Sequence, residues 1–173
     1  MAQLHSTRED HLVAWLTALA ISIHVAESAL PSPIPGIKPG LANIVTLVAL
    51  LLYGWRTAVW VSLLRVLLGS IVIGTFLSPT FVLSFSGAIC SVTVLTLASM
   101  VAAKLGTWRI GALGYGVLAA MSHMIGQFYA AYYLFVPHQA LLGLLPFLMT
   151  AAMGFGIISG LIALKIVRQL GKV

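Results

Sequence analysis

The sequence predicts an all-α integral membrane protein with six transmembrane helices and both termini in the cytoplasm. Three observations lead there. The 173 residues are 61% hydrophobic and 7% charged, with mean hydropathy +1.10, whereas soluble domains carry about 25% charged residues. The apolar residues fall into long runs separated by short breaks rich in Pro, Gly or basic residues. Lys and Arg collect in alternate breaks. Residues 1–173 read as a single transmembrane domain.

The helices follow in order. Ser6-Thr7-Arg8-Glu9 matches a capping box, in which the Ser6 hydroxyl accepts from the third helical amide and Glu9 reaches back. The first helix therefore starts near Thr7, and its span covers 12–30. The polar, mixed-sign flank before it and the further apolar runs after it argue for a retained span rather than a cleaved signal.

The next stretch, LPSPIPGIKPGLANIVTL at 30–47, carries Pro31, Pro33, Pro35 and Pro39 with Gly36 and Gly40. Each proline lacks a backbone donor and fixes φ, so 32–40 is not a helix interior. It is either a rigid turn or a structured cap over a ligand site. Span two, 41–54, has 14 residues and reaches about 21 Å at 1.5 Å per residue, short of the ~30 Å hydrocarbon core. Short spans interrupted by Gly and Pro mark binding sites in transporters. Spans three to six are 57–77, 81–103, 110–136 and 140–164, the last with a kink at Pro146.

The positive-inside rule orients the bundle. With the amino terminus inside, the inner segments hold Arg8, Arg56, Lys104, Arg109, Lys165, Arg168 and Lys172, and the outer loops hold only Lys38. That asymmetry puts the proline-rich stretch on the outer face. It also accounts for the net charge of +6 without nucleic acid as a partner. Cys90 is the single cysteine, so no disulfide or CxxC pair forms within the chain.

Charged residues at bilayer depth cost at least ~2.5 kcal/mol at a helix centre and are functional candidates. Arg65 lies nine residues after Arg56, about 13 Å into the membrane at helical rise. It is either half of an internal pair with Glu27 or a helix-end carbonyl, or a forked clamp for an anionic or polarised group. Glu27, Lys38 and Asn43 share the outer third by depth.

His24 and His123 sit at matched depth and could ligate haem or bracket a quinone; the alternative is a neutral histidine satisfied by backbone. Gln127 shares a face with His123, and Tyr129 or Tyr133 would extend that stripe. Ser84, Ser86, Ser91, Thr93 and Thr96 read as interhelical hydrogen-bonders. Small-xxx-small pairs occur at Ala14/Ala18, Ala98/Ala102 and Gly156/Gly160, and internal packing is the simpler use of each.

Enzymatic chemistry finds little support. Asp10 is the only aspartate, so the paired Asp-rich motifs that hold Mg²⁺-diphosphate for prenyl transfer cannot be built. HExxH, GxSxG and Walker sequences do not occur. No metal site is predicted, and a nucleotide-driven pump would need separate ATPase subunits.

The run from LPSPIPGIKPGLANIVTL through RVLLGS (65–70) and SPTF (78–81), with SHMIGQ at 122–127, resembles the Gx transporter family, also labelled heptaprenyl diphosphate synthase component I. More distantly it resembles the substrate-binding S components of energy-coupling factor transporters. The resemblance implies a six-helix protein of the bacterial inner membrane, with an extracytoplasmic pocket covered by the loop at 31–40. Ala14/Ala18 is similar to the motif by which S components contact a transmembrane coupling subunit with its ATPases. Family members are also associated with extracytoplasmic flavoprotein and quinone-linked systems.

The expected function is capture of a small anionic or polar-headed ligand from the outer side. Arg65 and Lys38 would neutralise its head group, His123, Gln127 and Asn43 would orient it, and Glu27 would hold Arg65 in the empty site. No cofactor is required by that reading. The alternatives are a quinone- or haem-linked electron-transfer subunit built on His24 and His123, and an isoprenoid-binding accessory subunit without prenyltransferase activity.

Overall fold

The computed structural model describes residues 7–29, 42–105 and 110–170, and the regular structure among them is entirely helical. Helix α1 spans Arg8–Ala29. Thr7 caps it: its Oγ1 accepts from the Asp10 amide at 3.3 Å, while the Asp10 carboxylate accepts from the Thr7 amide at 2.7 Å and hydroxyl at 2.8 Å. This is a capping box one residue later than the Ser6–Glu9 pair; Ser6 lies outside the described residues. A Thr and an Asp three apart satisfy the same orphan amides, and this pair places the helix start at Arg8.

Helix α2 (Ala42–Tyr53) has 12 residues, about 18 Å of rise. Every residue from 44 to 50 is buried, and the helix touches α1 and, further along the chain, α3 (Trp55–Ile73), α5 (Ala112–Leu134) and α7 (Leu145–Gln169). A helix that is apolar on all sides belongs inside a bundle. Its shortness is thus compatible with a membrane, because its flanks meet protein rather than lipid.

Gly54, at φ +91°, turns the chain from α2 directly into α3, so α3 begins two residues before the expected 57. It also ends earlier than 77. Gly74, at φ +77°, is a left-handed cap whose amide donates to the Ile71 and Ser70 carbonyls. Helix α4 (Pro79–Leu105) starts two residues before the expected 81, because proline suits the first turn, where its missing amide is an orphan anyway. The Ser78 hydroxyl accepts from the Phe81 amide at 3.3 Å.

After α5 comes a single turn, α6 (Gln139–Leu142), capped by His138, whose Nδ1 accepts from the Ala140 amide at 3.2 Å. The kink expected at Pro146 is absent. The chain instead breaks at Gly143–Leu144, and Pro146 sits in the first turn of α7.

Neighbouring helices run α1–α3–α4–α5–α7, with α2 enclosed by that arc. Leu47, Val61, Leu95 and Val167 are the largest fully buried apolar side chains. Glycines bring backbones together at two seams. A Cβ on Gly160 would lie 2.9 Å from the Ala112 carbonyl, one on Gly156 would lie 2.8 Å from the Gly116 carbonyl, and one on Gly116 would overlap the Gly156 carbonyl. The Gly156/Gly160 pair is therefore used for internal α5–α7 contact. Between α4 and α5, a Cβ on Gly126 would lie 2.7 Å from the Ser86 carbonyl. Ala102 is buried, whereas Ala14 and Ala18 face outward.

Three of the α4 hydroxyls, those of Ser86, Thr93 and Ser99, serve their own helix. Ser86 and Thr93 donate to the Val82 and Ile89 carbonyls, both at 2.8 Å, in place of the expected interhelical bonds.

Four stretches are long and apolar enough to cross a membrane: Arg8–Ser28, Trp55–Ile73, Pro79–Lys104 and Gln139–Gln169. Trp15, Leu19, Trp60 and Ile71 are exposed on them, as suits a protein with lipid as solvent. Helix α5 is long enough, at 23 residues, but His123, Gln127 and four tyrosines lower its hydropathy.

The glycine seam is testable with a matched pair. Gly156→Ala should destabilise the detergent-solubilised protein by about 1–3 kcal/mol through overpacking. Gly154→Ala, where a Cβ meets open space, should stay within about 0.5 kcal/mol of the parent. Thermal unfolding of the two variants in the same detergent checks this.

Candidate functional site

The site is built from helix ends and one buried cation. The last two turns of α1 place His24 and Glu27 on one face, three residues apart. The first turn of α2 brings Asn43 beside them. Arg65, in the middle of α3, is only 5% exposed, as is Glu27. The Arg65 Nη2 donates to Asn43 Oδ1 at 2.9 Å, and the Glu27 carboxylate is close enough to stabilise the guanidinium electrostatically. The guanidinium is in electrostatic reach of His123 as well. Nearest neighbours in space thus come from four helices.

These groups line a cavity of about 320 Å³, at the lower end of the range for small-molecule sites. From α1, α2 and α3 its wall contains His24, Glu27, Asn43, Arg65 and Ser70. From α4 and α5 come Thr80, Phe81, Ser84, His123, Met124 and Gln127, and α7 adds Phe155. A second cavity, about 340 Å³, lies among Leu50, Gly54, Trp55, Met100 and Tyr115. Among the described residues its lining has no charged group, whereas the first cavity has Arg65 and Glu27.

Two glycines make room for the imidazoles. A Cβ on Gly69 would lie 3.2 Å from His24 Cδ2. A Cβ on Gly87 would lie 2.8 Å from Gln127 Cγ and 2.9 Å from His123 Nε2. Two polar atoms of the wall, Arg65 Nε and His123 Nδ1, are buried without a hydrogen-bond partner among the described residues. Such groups cost about 1–3 kcal/mol each when left unmade.

The sequence candidates fall as follows. Arg65, Asn43, Glu27, His24, His123 and Gln127 all line the one cavity. Lys38, and the proline-rich stretch at 30–41 with it, lies outside the described residues. Tyr129 and Tyr133 do not share the His123–Gln127 face. They are 44% and 71% exposed and stack on each other, ring centroids 6.0 Å apart. At 3.6 residues per turn, Tyr129 points roughly 200° away from Gln127. Among the described residues, the arginine's hydrogen bond goes to Asn43 rather than to a helix-end carbonyl. Among the described residues there is no group of three or more His, Cys, Asp or Glu that could hold a metal ion.

Sequence reasoning missed Ser70, Thr75 and Thr80 in the wall and Gly69 and Gly87 behind it. Gly69 and Ser70 follow Arg65 at four and five residues, so helical spacing alone places them one turn above it.

A family model described as heptaprenyl diphosphate synthase component I matches residues 16–166. The chain belongs to this family. No curated protein and no solved structure matches the chain. The family match runs from within α1 to near the end of α7 and spans every described residue of the cavity wall. With its apolar helices, the chain is a membrane protein of the heptaprenyl diphosphate synthase component I family.

Gly87→Ala tests the seating of His123 and Gln127. The added methyl meets side-chain ends that can move, so far-UV circular dichroism should be unchanged. The ¹⁵N resonances of the His123 imidazole should shift relative to those of the parent protein.

Proposed function

We propose that the chain is a six-span, single-domain protein of the bacterial inner membrane, with both termini cytoplasmic, that captures a small polar-headed ligand from the outer side. The observation that carries this reading is the nearly buried Arg65 in the wall of a 320 Å³ cavity, with an unpaired Nε–H. A guanidinium in that setting is a fixed, desolvated donor with free capacity, which is what a small ligand's acceptor group requires.

The orientation is supported by the helix ends. The carboxyl ends of α1 and α3 and the amino ends of α2 and α4 contribute to the cavity wall. Arg8, Arg56, Lys104, Lys165 and Arg168 sit towards the opposite ends of their helices. Under the positive-inside rule the basic end is cytoplasmic and the cavity end is not. In this reading α2 and α5 cross along with the four longer spans, α2 shielded by its neighbours. The loop at 31–40, with Lys38 in it, covers the site, and Ala14 and Ala18, on the outward face of α1, meet a coupling subunit with its ATPases.

A second reading has one observation in its favour: His24 and His123 line the same cavity. There they could bracket a quinone or haem in an electron-transfer subunit working with extracytoplasmic flavoprotein partners. The family description also names a component of a synthase, and an isoprenoid-binding accessory role would fit it. Asp10, the only aspartate, is not in the cavity wall, so that role would leave prenyl transfer to another component.

Mass spectrometry of small molecules released from gently purified protein tests the leading reading. A compound should co-purify with the parent and be reduced at least about tenfold with Arg65→Ala, a loss of about 1.4 kcal/mol or more. A colourless preparation with equal small-molecule content in parent and variant contradicts it. A Soret band lost in His24→Ala favours the redox reading.

A further inference from the structure

The second cavity, about 340 Å³, lies at the basic end of the bundle, away from Arg65. We infer that it binds one anionic phospholipid of the inner leaflet, with the upper part of an acyl chain in the cleft and the phosphate between Arg56 and Lys104. The leaflet follows from the orientation proposed above. The site itself is independent of ligand capture at Arg65.

The first argument is depth and shape. The described wall comes from four helix ends: Leu50 near the end of α2, Trp55 at the start of α3, Met100 and Ala103 near the end of α4, and Tyr115 in the first turn of α5. Each of these lies within about 8 Å of its helix end at 1.5 Å per residue. In a bilayer that is the level of the glycerol esters and the first part of the chains. Leu50 and Tyr115, each 7% exposed, form the floor, and Trp55 and Met100, 36% and 42% exposed, form the rim. The cleft therefore opens on the outside of the bundle, where lipid is the solvent. An α-helix about 10–12 Å across is too wide to enter it.

The chemistry of the lining gives the second argument. The Ser99 hydroxyl is already spent on the Thr96 carbonyl at 2.8 Å. The rest of the described wall is apolar apart from the Tyr115 phenol, which can donate to an ester carbonyl. A hydrocarbon chain suits this wall, and a soluble anion does not.

Charge complementarity at the rim is the third argument. Arg56 follows Trp55 and Lys104 follows Ala103 in the chain, and both cations are exposed. The Arg56 guanidinium lies over the Trp55 ring, 5.3 Å from its centroid, so the indole that walls the cleft also holds a cation at its mouth. Gly54 gives α3 no side-chain cap, and the first-turn amides of α3 add donors at the same place. An apolar crevice between helices with basic groups at its cytoplasmic mouth has the chemistry of an anionic phospholipid, and a zwitterionic headgroup brings a cation against the same two positive charges.

Native mass spectrometry of the full chain, released from detergent, tests this with two probes that share their acyl chains. Dioleoyl phosphatidylglycerol is the anionic lipid and dioleoyl phosphatidylcholine the zwitterionic one. The first phosphatidylglycerol should bind at least about fivefold tighter than the first phosphatidylcholine. Ala103→Leu fills the cleft and leaves both cations, and it should weaken phosphatidylglycerol by about fivefold or more. Arg56→Gln with Lys104→Gln should bring the two lipids to equal affinity. Lys165→Gln with Arg168→Gln, at the same end of the bundle on α7, which contributes no described lining residue, should leave the preference intact. All four charge positions are exposed, so this comparison decides the matter if Ala103→Leu fails to fold. Equal affinity of the parent for the two lipids overturns the inference. So does undiminished phosphatidylglycerol binding in a folded Ala103→Leu, or an equal loss in the two charge variants, either of which leaves only general attraction of anionic lipid to the basic end.

Discussion

A guanidinium held inside an apolar bundle is the constraint from which the rest of the site follows. Arg65 has no route to water along its own helix without crossing several turns of apolar surface. Its charge must be compensated locally, or the fold carries an unpaired buried cation. Asn43 and Glu27 provide that compensation from two other helices. Because both lie at helix ends, satisfying Arg65 also fixes where α1 stops and α2 starts relative to α3. The polar contact and the architecture are thus one requirement.

Small residues make this arrangement possible. The imidazoles of His24 and His123 occupy space that any side chain at Gly69 or Gly87 would take. The glycine seams of α4–α5 and α5–α7 draw those helices close on one side. Helix α2 fills the interior behind Asn43, and its uninterrupted burial from 44 to 50 explains how an element too short to span a bilayer alone can lie within such a bundle. The polar face of α5 has the same origin. His123 and Gln127 lower its hydropathy because they turn inward to the cavity.

Much of this was legible in the sequence, and the reasons are specific. Counting residues from helix ends gives depth, and depth alone groups Glu27, Asn43 and Arg65. A spacing of four gives a shared face, which pairs His123 with Gln127. What depth cannot give is azimuth relative to a neighbouring helix. Polar character along α5 suggests that Tyr129 or Tyr133 extends the His123–Gln127 stripe, but both face outward. Ser86 and Thr93 read in the sequence as interhelical hydrogen-bonders, yet a hydroxyl in a helix finds its own carbonyl four residues back first. Pro146 predicts a kink and the structure has a break before it, because proline marks a discontinuity without saying which side of it remains helical. Gly87 passed unnoticed because its importance lies in what approaches it from α5, a contact with no local signature.

The central claim is that Arg65 faces a cavity entered from the extracytoplasmic side. Ser84 lines that cavity, and Cys90 is the single native cysteine. The most direct measurement is labelling of Ser84→Cys in a Cys90→Ser background, in intact cells, with a membrane-impermeant maleimide. The account predicts labelling in intact cells, with no further increase when the inner face is also exposed. Labelling only after the inner face is exposed would contradict it.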